Sequence, residues 1–106
     1  MVNKILTEAG FELNKTYKQT RFLKPPQTTY AIYKDTVNRR GADDVNLITD
    51  HDVNIELYEY TPDADAEKRL ESVFDKLGIE YIKQARYWID NEQIYQLIYE
   101  FSYTEK

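Results

Sequence analysis

The chain predicts an α+β domain, a single mostly antiparallel β-sheet with one main amphipathic helix and a short N-terminal helix, in the order α-β-β-β-α-β-β. Three stretches carry that prediction. Between Ile94 and Tyr103, Tyr95, Leu97, Tyr99, Phe101 and Tyr103 share one parity, and Ile94, Gln96, Ile98, Glu100 and Ser102 share the other. That period of two marks one long strand with an aromatic face. Leu47, Val53, Ile55 and Leu57 likewise share a parity and define a core-facing strand side. Ala66, Leu70, Val73, Phe74 and Leu77 instead recur at helical spacing.

The remaining elements follow from local signals. Val2, Ile5 and Leu6 fall on one side of a short helix over Val2–Glu8, and Gly10 supplies its stop. Phe11–Gln19 is polar with isolated apolar anchors at Phe11, Leu13 and Tyr17. Thr20–Leu23 reads as a brief strand, ended by Pro25 and Pro26, which cannot donate to a ladder. Thr28–Lys34 alternates Tyr30 and Ile32 against Ala31 and Tyr33, a second strand. Asp35–Asn46 has no period and reads as a long exposed loop, a kind of segment that is often functional. Leu47–Tyr60 is extended, with Asn54, Glu56, Tyr58 and Tyr60 on its wetter face. Thr61-Pro62-Asp63 opens the main helix, because Pro suits a first turn and Asp63 or Thr61 can cap free N–H groups. Glu67, Lys68, Glu71 and Asp75 are expected on its solvent side, and Gly78 ends it. Ile79–Ile89 is extended again, and Asp90-Asn91-Glu92 turns the chain into a C-terminal hairpin.

Size and charge limit what such a domain does. A chain of 106 residues fits a single domain spanning 1–106. It holds 42% hydrophobic and 31% charged residues, a globular balance. No apolar run approaches the ~18 residues that span a bilayer, and Met1–Gly10 does not read as a signal peptide. Cysteine is absent, which excludes disulfides, thiol catalysis and Cys-ligated zinc. The net charge of −5 argues against tight nucleic-acid binding, whose affinity comes from neutralising phosphates.

Few residues look like chemistry. Asp50-His51-Asp52 contains metal-ligand and general-base types, but on a strand His51 points away from both aspartates. Ser72 and Ser102 carry no sign of an activated nucleophile. Gly10, Gly41 and Gly78 stand alone and form no phosphate loop. Glu56, Glu59, Glu80, Glu92 and Glu100 read as scattered carboxylates on solvated strand faces rather than as a hydrolytic pair. The reading is therefore non-enzymatic, with no catalytic residue, metal or cofactor. Arg39, Arg40, Asp43 and Asp44 in the long loop read equally as a solvated loop with local ion pairs or as an arm that meets a neighbouring subunit, and Tyr33, Tyr58, Tyr60 and Tyr103 on strand faces are the better candidates for partner contact. Trp88 is expected in the core beneath the hairpin, while Tyr30, Tyr81, Tyr95 and Tyr99 supply further core candidates. A small-ligand or peptide-binding regulatory domain is the alternative class. A hydrolase built on Asp50, His51 or the strand carboxylates is a third.

One pattern of blocks resembles a known family. Pro26–Tyr33, a loop with Ala42-Asp43-Asp44, Val53–Tyr58, a Glu-rich helix and Tyr95–Phe101 follow in the order and spacing of small tail-completion proteins of long-tailed bacteriophages and prophages of Gram-positive bacteria, the tail terminator group. The likeness runs from about Lys24 to Thr104. It implies a sheet packed with helices and a ring homo-oligomer, usually a hexamer, closing alone or only on the tail. It implies partners in the tail tube protein and the head–tail connector protein. The implied location is the virion tail, and the host bacterial cytoplasm during assembly. The implied work is to stop tube growth and join tail to head, with the acidic charge lining a DNA conduit without gripping its cargo. The acidic Asp63–Asp75 helix face has no counterpart in that picture.

Overall fold

The computed structural model describes residues 1–41 and 48–105. Two helices and six strands follow in the order α1 (Val2–Glu8), β1 (Tyr17–Gln19), β2 (Tyr30–Arg40), β3 (Ile48–Glu59), α2 (Ala64–Leu77), β4 (Ile82–Lys83), β5 (Tyr87–Ile89) and β6 (Ile94–Glu105) among the described residues. All strands join one sheet in the order β1-β2-β3-β6-β4, with β5 also paired to β6. Only the β1–β2 pair is parallel. The α+β class read from the sequence is therefore the observed one, with one strand more at the C-terminal side.

The parity of the three long strands sets the core. Ala31 pairs with Leu57, Val53 with Phe101, Ile55 with Tyr99 and Leu57 with Leu97, so these side chains share one face. Val53, Ile55, Leu57, Leu97, Tyr99 and Phe101 are buried there against Ile5 and Leu6 of α1 and Leu70, Val73 and Phe74 of α2. Each large apolar side chain so buried contributes about 1.5–3 kcal/mol before chain entropy is subtracted. The aromatic stripe of β6 is thus mostly core filling: Phe74 packs on Tyr99 and Phe101 with ring centroids 5.8 and 5.4 Å apart. A smaller cluster of Tyr30, Ile32 and Ile94, with Phe22, Tyr58 and Ile89 packed on it, occupies the opposite face.

Helix α2 has the ends its sequence predicts. Asp63 Oδ1 accepts from the Ala66 N–H at 3.0 Å, and Gly78 at φ 67° closes the C-terminus in the left-handed region. Arg69 ties α2 to α1, donating from Nε to the Ala9 carbonyl at 2.9 Å.

Several expectations need correction. The first strand is Tyr17–Gln19 rather than Thr20–Leu23, because Tyr17 pairs with Ala31 and is buried. The segment Asp35–Arg40 is strand, not loop: its ladder to β3 continues without a break from Tyr30↔Tyr58 to Arg40↔Ile48. Backbone pairing holds it extended although its side chains show no alternation. Asp43 and Asp44 lie outside the described residues. Trp88 is 38% exposed and leans on Tyr95 with ring centroids 4.7 Å apart, so it lies outside the core.

Ile79–Ile89 is two short strands separated by a bulge. Lys83 pairs with Tyr99 and Tyr87 with Gln96, so four steps on one strand oppose three on the other. One extra residue reverses the facing of everything after it. Lys83 and Arg86, three apart, would face opposite ways on a regular strand; here both reach Glu67.

Candidate interaction surfaces

The sheet divides into a helix-covered base and an arm that the helices reach only beside Tyr103–Glu105. The arm is the end of the sheet where β2 runs from Lys34 to Arg40, β3 starts at Ile48, and β6 finishes at Glu105. Polar cross-strand pairs hold it. His51 Nδ1 lies 2.8 Å from Asp35 Oδ2, and its ring stacks on Tyr103 at 4.3 Å and 2°. His51 Nε2 lies 2.9 Å from Glu105 Oε1 but off the hydrogen-bond direction. On the other face Asp50 accepts from Arg40 Nε at 2.6 Å and from the Thr104 hydroxyl at 2.8 Å. Those bonds hold the Asp50 carboxyl below the usual aspartate range. Ser102 donates to Asp52 at 2.6 Å. His51 therefore binds neither neighbour in sequence. It joins β2, β3 and β6, which is a structural use of the residue.

The tyrosines proposed for contact are placed variously. Tyr60 is 40% exposed, and its hydroxyl donates to the Pro26 carbonyl at 2.7 Å. Tyr33 and Tyr103 are half-buried and pack against the main core. Tyr58 stacks on Tyr30 at 5.0 Å, donates to Glu56 at 2.7 Å and accepts from Gln96 at 2.9 Å. Burial and the Glu56 bond push its phenol well above the ordinary tyrosine value. Arg39 and Arg40 are exposed at the end of β2, with Arg40 held by Asp50.

A second polar cluster was not visible in the sequence. Glu59 is fully buried at the end of β3, and Glu67 and Glu56 are nearly so, against the expectation of solvated carboxylates and a wet Glu67. Arg86 donates to Glu59 at 3.2 Å and to Glu67 at 2.5 Å, and Lys83 donates to Glu67 at 3.2 Å and Glu71 at 2.8 Å. Tyr99 donates to Glu71 at 2.6 Å. Two cations thus serve three carboxylates. Burial, then the hydrogen bond with Glu67, pushes Glu59 up to about 7. Burial also acts upward on Glu67, but bonds from Glu59, Arg86 and Lys83 outweigh it and hold this carboxyl below the usual range. Glu59 Oε2 is buried without a hydrogen-bond partner. The only sequence signal was the parity of Glu59, shared with Val53, Ile55 and Leu57.

The open surfaces are apolar in places. Ile82 and Tyr87 are 65% and 64% exposed along the β4–β5 edge. A groove of about 610 Å³ runs beside Asp52, Asn54, Tyr81, Ile82 and Glu100, where β4 stops short of the end of β6. No helix is long and apolar enough to cross a membrane, and no group of three or more His, Asp or Glu able to hold a metal occurs, among the described residues.

No protein-family model matches this chain, and no curated protein matches it. Among solved structures it is similar in fold to a chain described as "Virion of native gene transfer agent (GTA) particle", with a TM-score of 0.58 and 14% sequence identity, over 92% of this chain and 81% of that one.

Proposed function

We propose that this protein is a structural component of a phage-like virion and works by binding alone. The observation that carries this reading is the fold likeness to a gene transfer agent virion chain over 92% of this chain and 81% of that one. Within the particle, the block pattern from Lys24 to Thr104 supports the more specific role of tail terminator. In that role a ring of copies, usually six, caps the tail tube and joins it to the head connector. Its place is the virion tail, reached from the cytoplasm of the host bacterium. The arm suits such work, since a long strand pair offers exposed edges and side chains to neighbours.

The test is sizing by multi-angle light scattering, with and without purified tail tube protein. A ring, alone or formed only on the tube, is expected. A strict monomer that never joins the tube contradicts the proposal.

A further inference from the structure

The two edges of the sheet carry opposite charge. Around β1 and β2 stand Lys18, Arg21 and Arg39, with Lys34 paired to Glu56 at 3.5 Å, on the edge where β1 and then β2 are outermost. Around β4, β5 and β6 stand Glu80, Asp90, Glu100 and Glu105, on the opposite edge. The cations of that acidic edge, Lys83 and Arg86, turn inward and are spent on Glu59, Glu67 and Glu71. The bulge between β4 and β5 makes this possible, and it leaves the outer side of the edge acidic. Helix α2, by contrast, mixes Asp65, Lys68, Arg69, Glu71, Asp75 and Lys76 along its length.

We infer that copies of this chain associate head to tail, the basic β1–β2 edge of one copy facing the acidic β4–β6 edge of the next. This rests on the proposed ring and names the surfaces that build it. A two-fold contact would set basic against basic or acidic against acidic. The head-to-tail contact sets opposite charges together at every junction, and it closes into a ring when successive copies are rotated. Steric placement defines the contact further. β1 covers β2 only beside Ala31–Tyr33, and β4 and β5 cover β6 only as far as Glu100. Two copies side by side in one orientation therefore meet first at these short strands. The arms beyond them then stand a few strand spacings of about 4.8 Å apart, so they approach through side chains rather than as one continuous ladder.

The absence of native cysteine makes a clean test available. Asn38→Cys marks the arm on the basic edge and Ser102→Cys marks it on the acidic edge; both positions are exposed. The two single variants are mixed at low ionic strength and treated with a flexible bis-maleimide. Mixed N38C–S102C dimers should exceed either homotypic dimer by about tenfold, the effect of ~1.4 kcal/mol in favour of the opposite-charge contact. The yield should fall with salt as screening shortens to ~10 Å at 0.1 M.

Charge-swapped proteins sharpen the result. R21E/R39E replaces two cations of the basic edge with carboxylates, and E80K/E100K replaces two carboxylates of the acidic edge with cations, so each swap cancels the charge contrast between the edges. When both cysteine variants carry R21E/R39E, or both carry E80K/E100K, mixed dimers should be lost. They should return when N38C on R21E/R39E meets S102C on E80K/E100K. The helix variant K4E/K68E changes net charge as R21E/R39E does and should leave the cross-link intact. Thermal melts confirm that each variant is folded. Dominant homotypic dimers, a yield indifferent to the swaps, or no cross-link at the highest soluble concentration would each overturn the inference. If these occur while the chain still caps tubes, the interface is wrong and the proposed function stands. If the mixed dimer forms and tubes are never capped, the reverse holds.

Discussion

The base and the arm of this sheet are the same three strands held together by different forces. In the base, apolar side chains of β3 and β6 are sealed under α1 and α2, and burial does most of the work. In the arm the helices reach only the Tyr103–Glu105 side, where Lys4 and Leu77 line a groove with those residues, and the side chains that span the strands are His51, Asp35, Asp50, Arg40 and Ser102. Of these, the exposed Arg40–Asp50 and Ser102–Asp52 pairs contribute little each, while His51–Asp35 is part-buried. Fold stability is therefore concentrated at one end of the molecule, while the other end carries strand pairs in a state ready for partners. That division yields expectations of graded size.

The largest effect belongs to the base. Leu70→Ala and Phe74→Ala each empty a fully buried position, and each should cost about 3–5 kcal/mol in urea unfolding. A loss below ~1 kcal/mol would remove the base from its role as the seat of stability.

The second tests the buried carboxyl cluster at the edge of the base. Glu59 has its folded value raised to about 7 against an ordinary 4.5, so the folded state holds the proton longer than the unfolded chain. Its contribution is complete below pH ~4.5 and is lost as pH rises through about 7. Glu67 has the opposite sign: its depressed value gives stability that is lost as pH falls through it. Stability should therefore decline on both flanks. Glu59→Gln, which keeps a donor for Glu67, should abolish the loss around pH 7 in a melt series and leave the acid flank. An unchanged alkaline-side slope in that variant would place the proton elsewhere.

The third effect is smaller and confined to the arm. His51→Ala removes the contact among β2, β3 and β6 and should cost about 1 kcal/mol. Amide exchange should quicken for Lys34–Arg40 and stay slow for Val53–Leu57. Uniform quickening would mean that base and arm open together.

The fourth is the smallest in stability. Arg21→Glu and Arg39→Glu are exposed changes expected within about 0.5 kcal/mol of the parent. Their effect should show in association alone.

The same division explains what the sequence made legible. Base elements carry apolar periodicity, so α2 with its Asp63 cap and Gly78 stop, and the Val53–Ile55–Leu57 parity, are readable in advance. The arm segment Asp35–Arg40 lacks that signal, since only its pairing to β3 makes it a strand. The Glu59–Glu67–Arg86 cluster depends on a one-residue bulge, which shifts facing without any Gly or Pro to announce it. Trp88 lies beyond that bulge, and a regular continuation of Ile79–Ile89 misplaces it for the same reason. Of the contact candidates, Arg39, Arg40 and Tyr60 are exposed, whereas the aromatic rings of β6 proved to be mainly core. An aromatic stripe in a small domain is ambiguous until the helices that cover it are placed.

The central claim is that the molecule acts as a building block at the end of a phage-like tail. Electron microscopy of polymerising tail tube protein, with and without this chain, tests it most directly. The account predicts shorter tubes of uniform length ending in a ring of this protein. Tubes that grow unchanged, with the protein left free in solution, would contradict it.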